Sequence, residues 1–146
     1  MLAMIVAMLL AADAPTVKYL GTSSRHGGEW LSFEVENSGK APIAYAGYTP
    51  ESYTDGIPAG EIRPFYSIEV RVGNEWKQLE LGHCATGRGK VSIDAKSKVR
   101  FYSVIPEGDW TETRVGLSWQ QGDNQSLRGV AWSDTIKRND LKLRAP

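Results

Sequence analysis

Residues 30–48 constrain the fold more than any other stretch of this chain. Within them Leu31, Phe33 and Val35 alternate with Ser32, Glu34 and Glu36. That is the two-residue period of a strand with one face buried and one face wet. Asn37-Ser38-Gly39-Lys40 then breaks the run with residues that tolerate turn dihedrals. A second apolar run begins at Ile43. Pro42 lacks a backbone donor and the link is longer than a two-residue turn, so it reads as a corner between two sheets, not a hairpin. Leu31, Phe33, Val35, Ile43 and Tyr45 would then face one another across a core.

The same pattern of strand, polar turn and strand runs through the rest of the chain. Residues 17–20 read as a short first strand and 23–28 as a turn. Strands follow at 29–36 and 43–46, and a long loop at 49–64 carries three prolines. Tyr66, Ile68, Val70 and Val72 alternate cleanly, and Gly73-Asn74 predicts a tight hairpin to a strand at 75–79. Further strands fall at 91–93, 99–105, 115–119 and 127–132, the last extended towards Ile136. No eleven-residue window after Pro15 carries a sustained helical face. About eight short strands at roughly ten-residue spacing indicate an all-β protein, an antiparallel β-sandwich or barrel.

Length places residues 15–146 in a single domain. Residues 1–14 read as a secretory signal. The first twelve residues are apolar and uncharged, too short to cross a bilayer as a helix, and Ala12-Asp13-Ala14 has the small-x-small form of a cleavage site. Cys84 is the only cysteine, so an exported domain of this sequence holds together by packing without an internal disulfide. The 17 basic and 17 acidic residues balance, which argues against nucleic acid and anionic membrane surfaces as partners, because both need a basic field.

Chemistry-bearing motifs are sparse. Gly82-His83-Cys84-Ala85-Thr86-Gly87-Arg88-Gly89-Lys90 superficially resembles a phosphate loop, but Arg88 stands where Lys followed by Ser or Thr is needed, and a strand follows instead of a helix. His83 and Cys84 are neighbours that point to opposite faces in extended chain, so they make no nucleophile–base pair. Two histidines and one cysteine with no histidine downstream do not form a copper loop, and the acids do not alternate as in a calcium loop. No cofactor is expected. The remaining resource is aromatic: five Trp and six Tyr, able to pack the core or, where exposed, to stack on a sugar or anchor a partner.

The order Phe33-Glu34-Val35-Glu36-Asn37-Ser38, Pro42-Ile43, Tyr66 to Trp76, Gly82 to Gly87, Phe101 and Val115-Gly116-Leu117 resembles small exported immunoglobulin-like domains of environmental bacteria. The resemblance implies a sandwich of two antiparallel sheets with about seven to nine strands, and no catalytic residue. The pair of cysteines that bridges the sheets of antibody domains is absent. Inhibitor sandwiches of the intracellular-proteinase-inhibitor kind share the strand–Asn–turn pattern. The sequence therefore predicts an exported, non-enzymatic module that binds a protein or another cell-surface component. Its candidate surface comprises Tyr48, Tyr53, Ile57, Trp76, His83 and Arg88, because long loops on rigid sandwiches are common recognition sites. Carbohydrate binding through exposed Trp and Tyr is the first alternative. A protease inhibitor presenting residues 49–64 is the second.

Overall fold

Leu31, Phe33 and Val35 form the floor of the core and are fully buried, with the Phe33 ring stacked on Phe101 at 5.1 Å. The computed structural model describes residues 14–82, 86–121 and 124–141. Of the signal-like segment 1–14, residues 1–13 lie outside them. Among the described residues ten strands run in chain order: β1 Thr16–Arg25, β2 Gly28–Asn37, β3 Ile43–Tyr48, β4 Ser67–Val72, β5 Glu75–Leu79, β6 Arg88–Ile93, β7 Ser97–Ser103, β8 Glu112–Gln121, β9 Asn124–Trp132 and β10 Ile136–Lys137. They form two antiparallel sheets, so the chain is the β-sandwich that its alternation predicts.

The small sheet is β1-β2-β7. The large sheet runs β5-β4-β8-β3-β6, with β9 and β10 on the other edge of β8. Strand β8 is its spine, pairing with β4 at residues 112–116, with β3 at 120–121, and with β10 and β9 on the far side. Ile43, Tyr45, Ile68, Val70, Val115 and Leu117 turn inward from this sheet and meet the small sheet. Burying such side chains contributes about 1.5–3 kcal/mol each, the main force closing the two layers.

The expected corner is present. β2 ends in the small sheet at Asn37, and β3 starts in the large one at Ile43. The expected hairpin is present as well: Val72 pairs with Glu75 around Gly73, whose φ is +62°. The tenth strand exceeds the expected seven to nine because the last strand divides. Ser133 leaves the ladder, with its N–H donating to the Val115 carbonyl at 2.8 Å and its hydroxyl accepting from the Val115 N–H at 3.0 Å. The chain then rejoins β8 as β10.

β1 is longer than the sequence suggests. It continues to Arg25 and turns through His26 and Gly27, with φ of +48° and +78°. Two positive φ values match the twist of a tight hairpin. The apolar alternation stops at Leu20 because an extra residue enters there: Tyr19 pairs with Phe33, but Gly21 already pairs with Ser32. Gly21 adopts φ +115°, which side chains avoid. This bulge reverses the facing of every later residue on β1.

Asn37 is completely buried. Its Nδ2 donates to the carbonyls of Ala41, Ile93 and Asp94 at 3.0–3.2 Å, and its Oδ1 accepts from the Gly39 N–H at 3.2 Å. Asn37→Ala removes a buried partner from all four groups and should lower stability by about 3 kcal/mol. Phe33→Ala should lower it by about 3–5 kcal/mol through the cavity it leaves. Urea unfolding would read both as lower midpoints. A midpoint unchanged in Asn37→Ala would show that the corner does not depend on this amide.

Candidate functional site

The corner lies at one end of the sandwich, and a cleft rich in aromatic side chains lies at the other. β2 and β7 pair with Asn37 opposite Ser97 and Leu31 opposite Ser103. Trp30, Tyr102 and the β1–β2 turn therefore sit at the end away from Asn37. Tyr48 closes β3 at that same end, and the connection to β4 starts from it.

That connection is a strap between the sheets. On one side it borders β7: the Ile62 N–H donates to the Arg100 carbonyl, and the Arg100 N–H donates to the Gly60 carbonyl, both at 2.8 Å. On the other side it borders β3, with the Tyr48 N–H on the Arg63 carbonyl at 2.9 Å and the Phe65 N–H on the Ala46 carbonyl at 3.0 Å. Gly47 permits this approach, since a Cβ there would stand 2.6 Å from the Arg63 carbonyl oxygen. The only helical turn within the strap is the short 3-10 turn Pro50–Ser52. The Thr49 N–H reaches the Gly87 carbonyl at 3.1 Å, bringing the end of the glycine-rich segment beside it.

Between the strap and the small sheet is a cleft of about 770 Å³, whose walls include Trp30, Tyr48, Tyr53, Tyr66 and Tyr102. That is the size of a small-molecule site. Arg25, Trp30 and Tyr102 share the face of the small sheet that points away from the core, because each is out of phase with the fully buried Leu31, Phe33 and Phe101. The bulge puts Arg25 on this face. Ile62 turns into the core from the strap, so its neighbour Glu61 turns to the same outer face as Arg25.

Glu61 organises the polar floor. Arg25 donates to it through Nη1 at 3.1 Å and Nη2 at 3.3 Å, and Arg63 through Nη1 at 3.1 Å. The side chains of Arg25, Glu61 and Arg63 are 20%, 16% and 25% exposed. Burial pushes the Glu61 carboxyl up, but the hydrogen bonds and charges of Arg25 and Arg63 outweigh it and hold the group below its ordinary value. The Arg25 guanidinium lies 4.0 Å over the Tyr102 ring, and that of Arg63 6.0 Å over Tyr53. The Trp30 indole donates to the Arg25 carbonyl at 3.0 Å, which leaves its ring face as the contact surface. The Tyr66 hydroxyl accepts from the Val104 N–H at 3.1 Å; burial pushes its pKa up, and this bond opposes the rise.

The sequence-predicted surface divides among these places. Tyr48 and Tyr53 come together edge to face at 6.2 Å and line the cleft. Ile57 is half-buried in the strap and does not line it. Trp76 lies on β5, at the far edge of the large sheet, where the Arg114 guanidinium stands 4.7 Å over its ring and 4.7 Å over that of Trp132. Arg88 starts β6, 5.2 Å over Phe65, in a separate groove with Lys90 and Arg128. His83 and Cys84 lie outside the described residues. Trp30 and Tyr102 were visible in the sequence as aromatics in the polar phase of otherwise clean strands. Arg25 and Arg63 had no sequence signal, because the bulge and the strap place them. Among the described residues no group of three His, Cys, Asp or Glu is placed to hold a metal ion.

The depressed Glu61 pKa sets a pH dependence. Its stabilising contribution is fully present above the ordinary glutamate value of about 4.3 and is lost as pH falls through the lower folded-state value. Glu61→Gln should be less stable than the parent at pH 7, with the difference shrinking below pH 4. Urea midpoints measured from pH 7 to pH 3 would check this, and a constant difference across that range would contradict it.

No family model matches this chain, and no curated protein matches it. A solved structure described as Northeast Structural Genomics Consortium target SoR45 is 8% identical over 91% of each chain, with a TM-score of 0.34. A likeness that low carries no argument about this chain.

Proposed function

We propose that this chain is an exported, non-enzymatic binding module of the immunoglobulin-like kind, and that the cleft beneath the strap seats its ligand. The observation that carries this is one concave site combining ring faces with guanidiniums fixed in place. Trp30 and Tyr53 supply the rings, and Tyr53 is 39% exposed. Arg25 and Arg63 are oriented by Glu61 before any ligand arrives, which lowers the ordering cost of binding.

The size of the site favours a glycan over a folded protein. A stable protein interface buries about 800 Å² on each partner, usually across a broad surface. This cleft is a concavity of about 770 Å³, and ring faces beside a few polar groups match the alternating C–H and hydroxyl faces of a sugar. Export is supported by the apolar run before Ala12-Asp13-Ala14.

Titration calorimetry after a glycan-array screen tests the reading. At least one glycan should bind, and Tyr53→Ala should weaken it tenfold or more without moving the unfolding midpoint. Equal affinity of parent and variant for every bound glycan would remove the cleft from the account. In a secreting host the mature protein should begin near Asp13 or Pro15 by mass spectrometry; an intact Met1 on exported protein would refute the signal.

A further inference from the structure

The polar floor of the cleft is unbalanced. Glu61 receives two bonds from Arg25 and one from Arg63, with the Tyr102 hydroxyl at 3.5 Å as a fourth donor. A carboxylate offers about four lone-pair sites, so Glu61 keeps little capacity to accept from a ligand. The guanidiniums differ, because each carries five N–H donors in a fixed fork. Arg25 uses one proton on each Nη. Arg63 uses only Nη1, on Glu61 and on the Ile62 carbonyl at 3.3 Å. Among the described residues no acceptor takes the Nε of Arg25, or the Nε and Nη2 of Arg63. Among the described residues the floor thus presents surplus donors and one positive charge more than Glu61 neutralises. Asp55 also lines the cleft, but it is exposed on the strap, where solvent screens it.

We infer that the cleft takes an acidic sugar: a hexuronate whose ring lies on Trp30 and Tyr53 and whose carboxylate is received by Arg25 and Arg63. This rests on the glycan reading above and names the sugar class. A neutral sugar brings hydroxyls that both donate and accept, and leaves the donor surplus uncompensated. A carboxylate is acceptor-only and forms short, charge-assisted bonds with a guanidinium fork. The free carboxylate of a peptide carries the same anion but lacks a main-chain partner here. The edge of β7 that borders the cleft is already taken by residues 60–62, so a peptide cannot extend the sheet there.

The test is calorimetry of the full chain with trisaccharides of galacturonate, glucuronate and mannuronate, each beside its methyl ester. The ester keeps the ring and removes the charge. At least one acid should bind, its ester tenfold or more weaker, and the acid's affinity should fall between 50 and 300 mM salt. Arg63→Gln should reduce the acid to the level of the ester and leave the ester unchanged. Arg63→Lys, which keeps the charge but loses the fork, should fall between. Acid and ester binding alike to the parent protein would overturn the inference even if Arg63→Gln failed to fold. So would neutral sugars binding where no uronate does. A tripeptide with a free C-terminus binding through Arg63, with no uronate bound, would also overturn it and leave the cleft as the site. If Tyr53→Ala moves the binding of no probe, the cleft itself is wrong.

Discussion

The buried amide of Asn37 is the interaction on which the arrangement of the two sheets depends. Two crossovers pass from sheet to sheet at one end of the sandwich: residues 38–42 link β2 to β3, and residues 94–96 link β6 to β7. Asn37 bonds to both, through Ala41 and Gly39 on the first and through Asp94 on the second. Lys96 adds a bond from Nζ to the Ser38 carbonyl at 2.5 Å. An apolar residue at Asn37 would suit the core face but would leave these backbone groups desolvated without partners, at about 1–3 kcal/mol each. The amide both donates and accepts, so a single side chain holds both connections.

With the sheets fixed at that end, the opposite end can be bridged by a longer segment. The strap from Tyr48 to Ser67 borders β7 on one side and β3 on the other, and so covers an edge of the small sheet that would otherwise be unpaired. Two local devices make this geometry possible. The bulge at Leu20 turns Arg25 to the outer face, and the missing side chain at Gly47 lets the strap pass close to β3. Glu61 then joins the two, because its oxygens are bonded from β1 and from the strap together.

The strand pattern makes the core legible in the sequence. The inward set Leu31, Phe33, Val35, Ile43 and Tyr45, the corner at Asn37 and the Gly73-Asn74 hairpin all depend on residues close in sequence. The parts that stayed hidden are non-local or break the period. The bulge cut short the apparent first strand, so Arg25 read as part of a turn. The strap looked like a bare loop because its partners, Arg100 and Ala46, are remote and its bonds are backbone ones that carry no side-chain signature. Of the candidate surface, Tyr48 and Tyr53 come together in the cleft, while Trp76 and Arg88 belong to other faces.

What distinguishes those faces is whether the ring surfaces are already used. Trp76 and Trp132 stand in the polar phase of their strands, as Trp30 does. Arg114 lies between them, within 4.7 Å of each ring. Glu69 fixes that guanidinium through Nε at 2.8 Å and Nη2 at 2.6 Å. This cluster pairs one cation with one carboxylate and sets that guanidinium against both indoles. In the cleft one carboxylate is shared by two guanidiniums, Tyr53 keeps an exposed ring, and the indole N–H of Trp30 is bonded to backbone. The same residue types, in the same phase on neighbouring sheets, thus make a closed surface brace at one site and an open aromatic cleft at the other. The ratio of cations to carboxylates decides which.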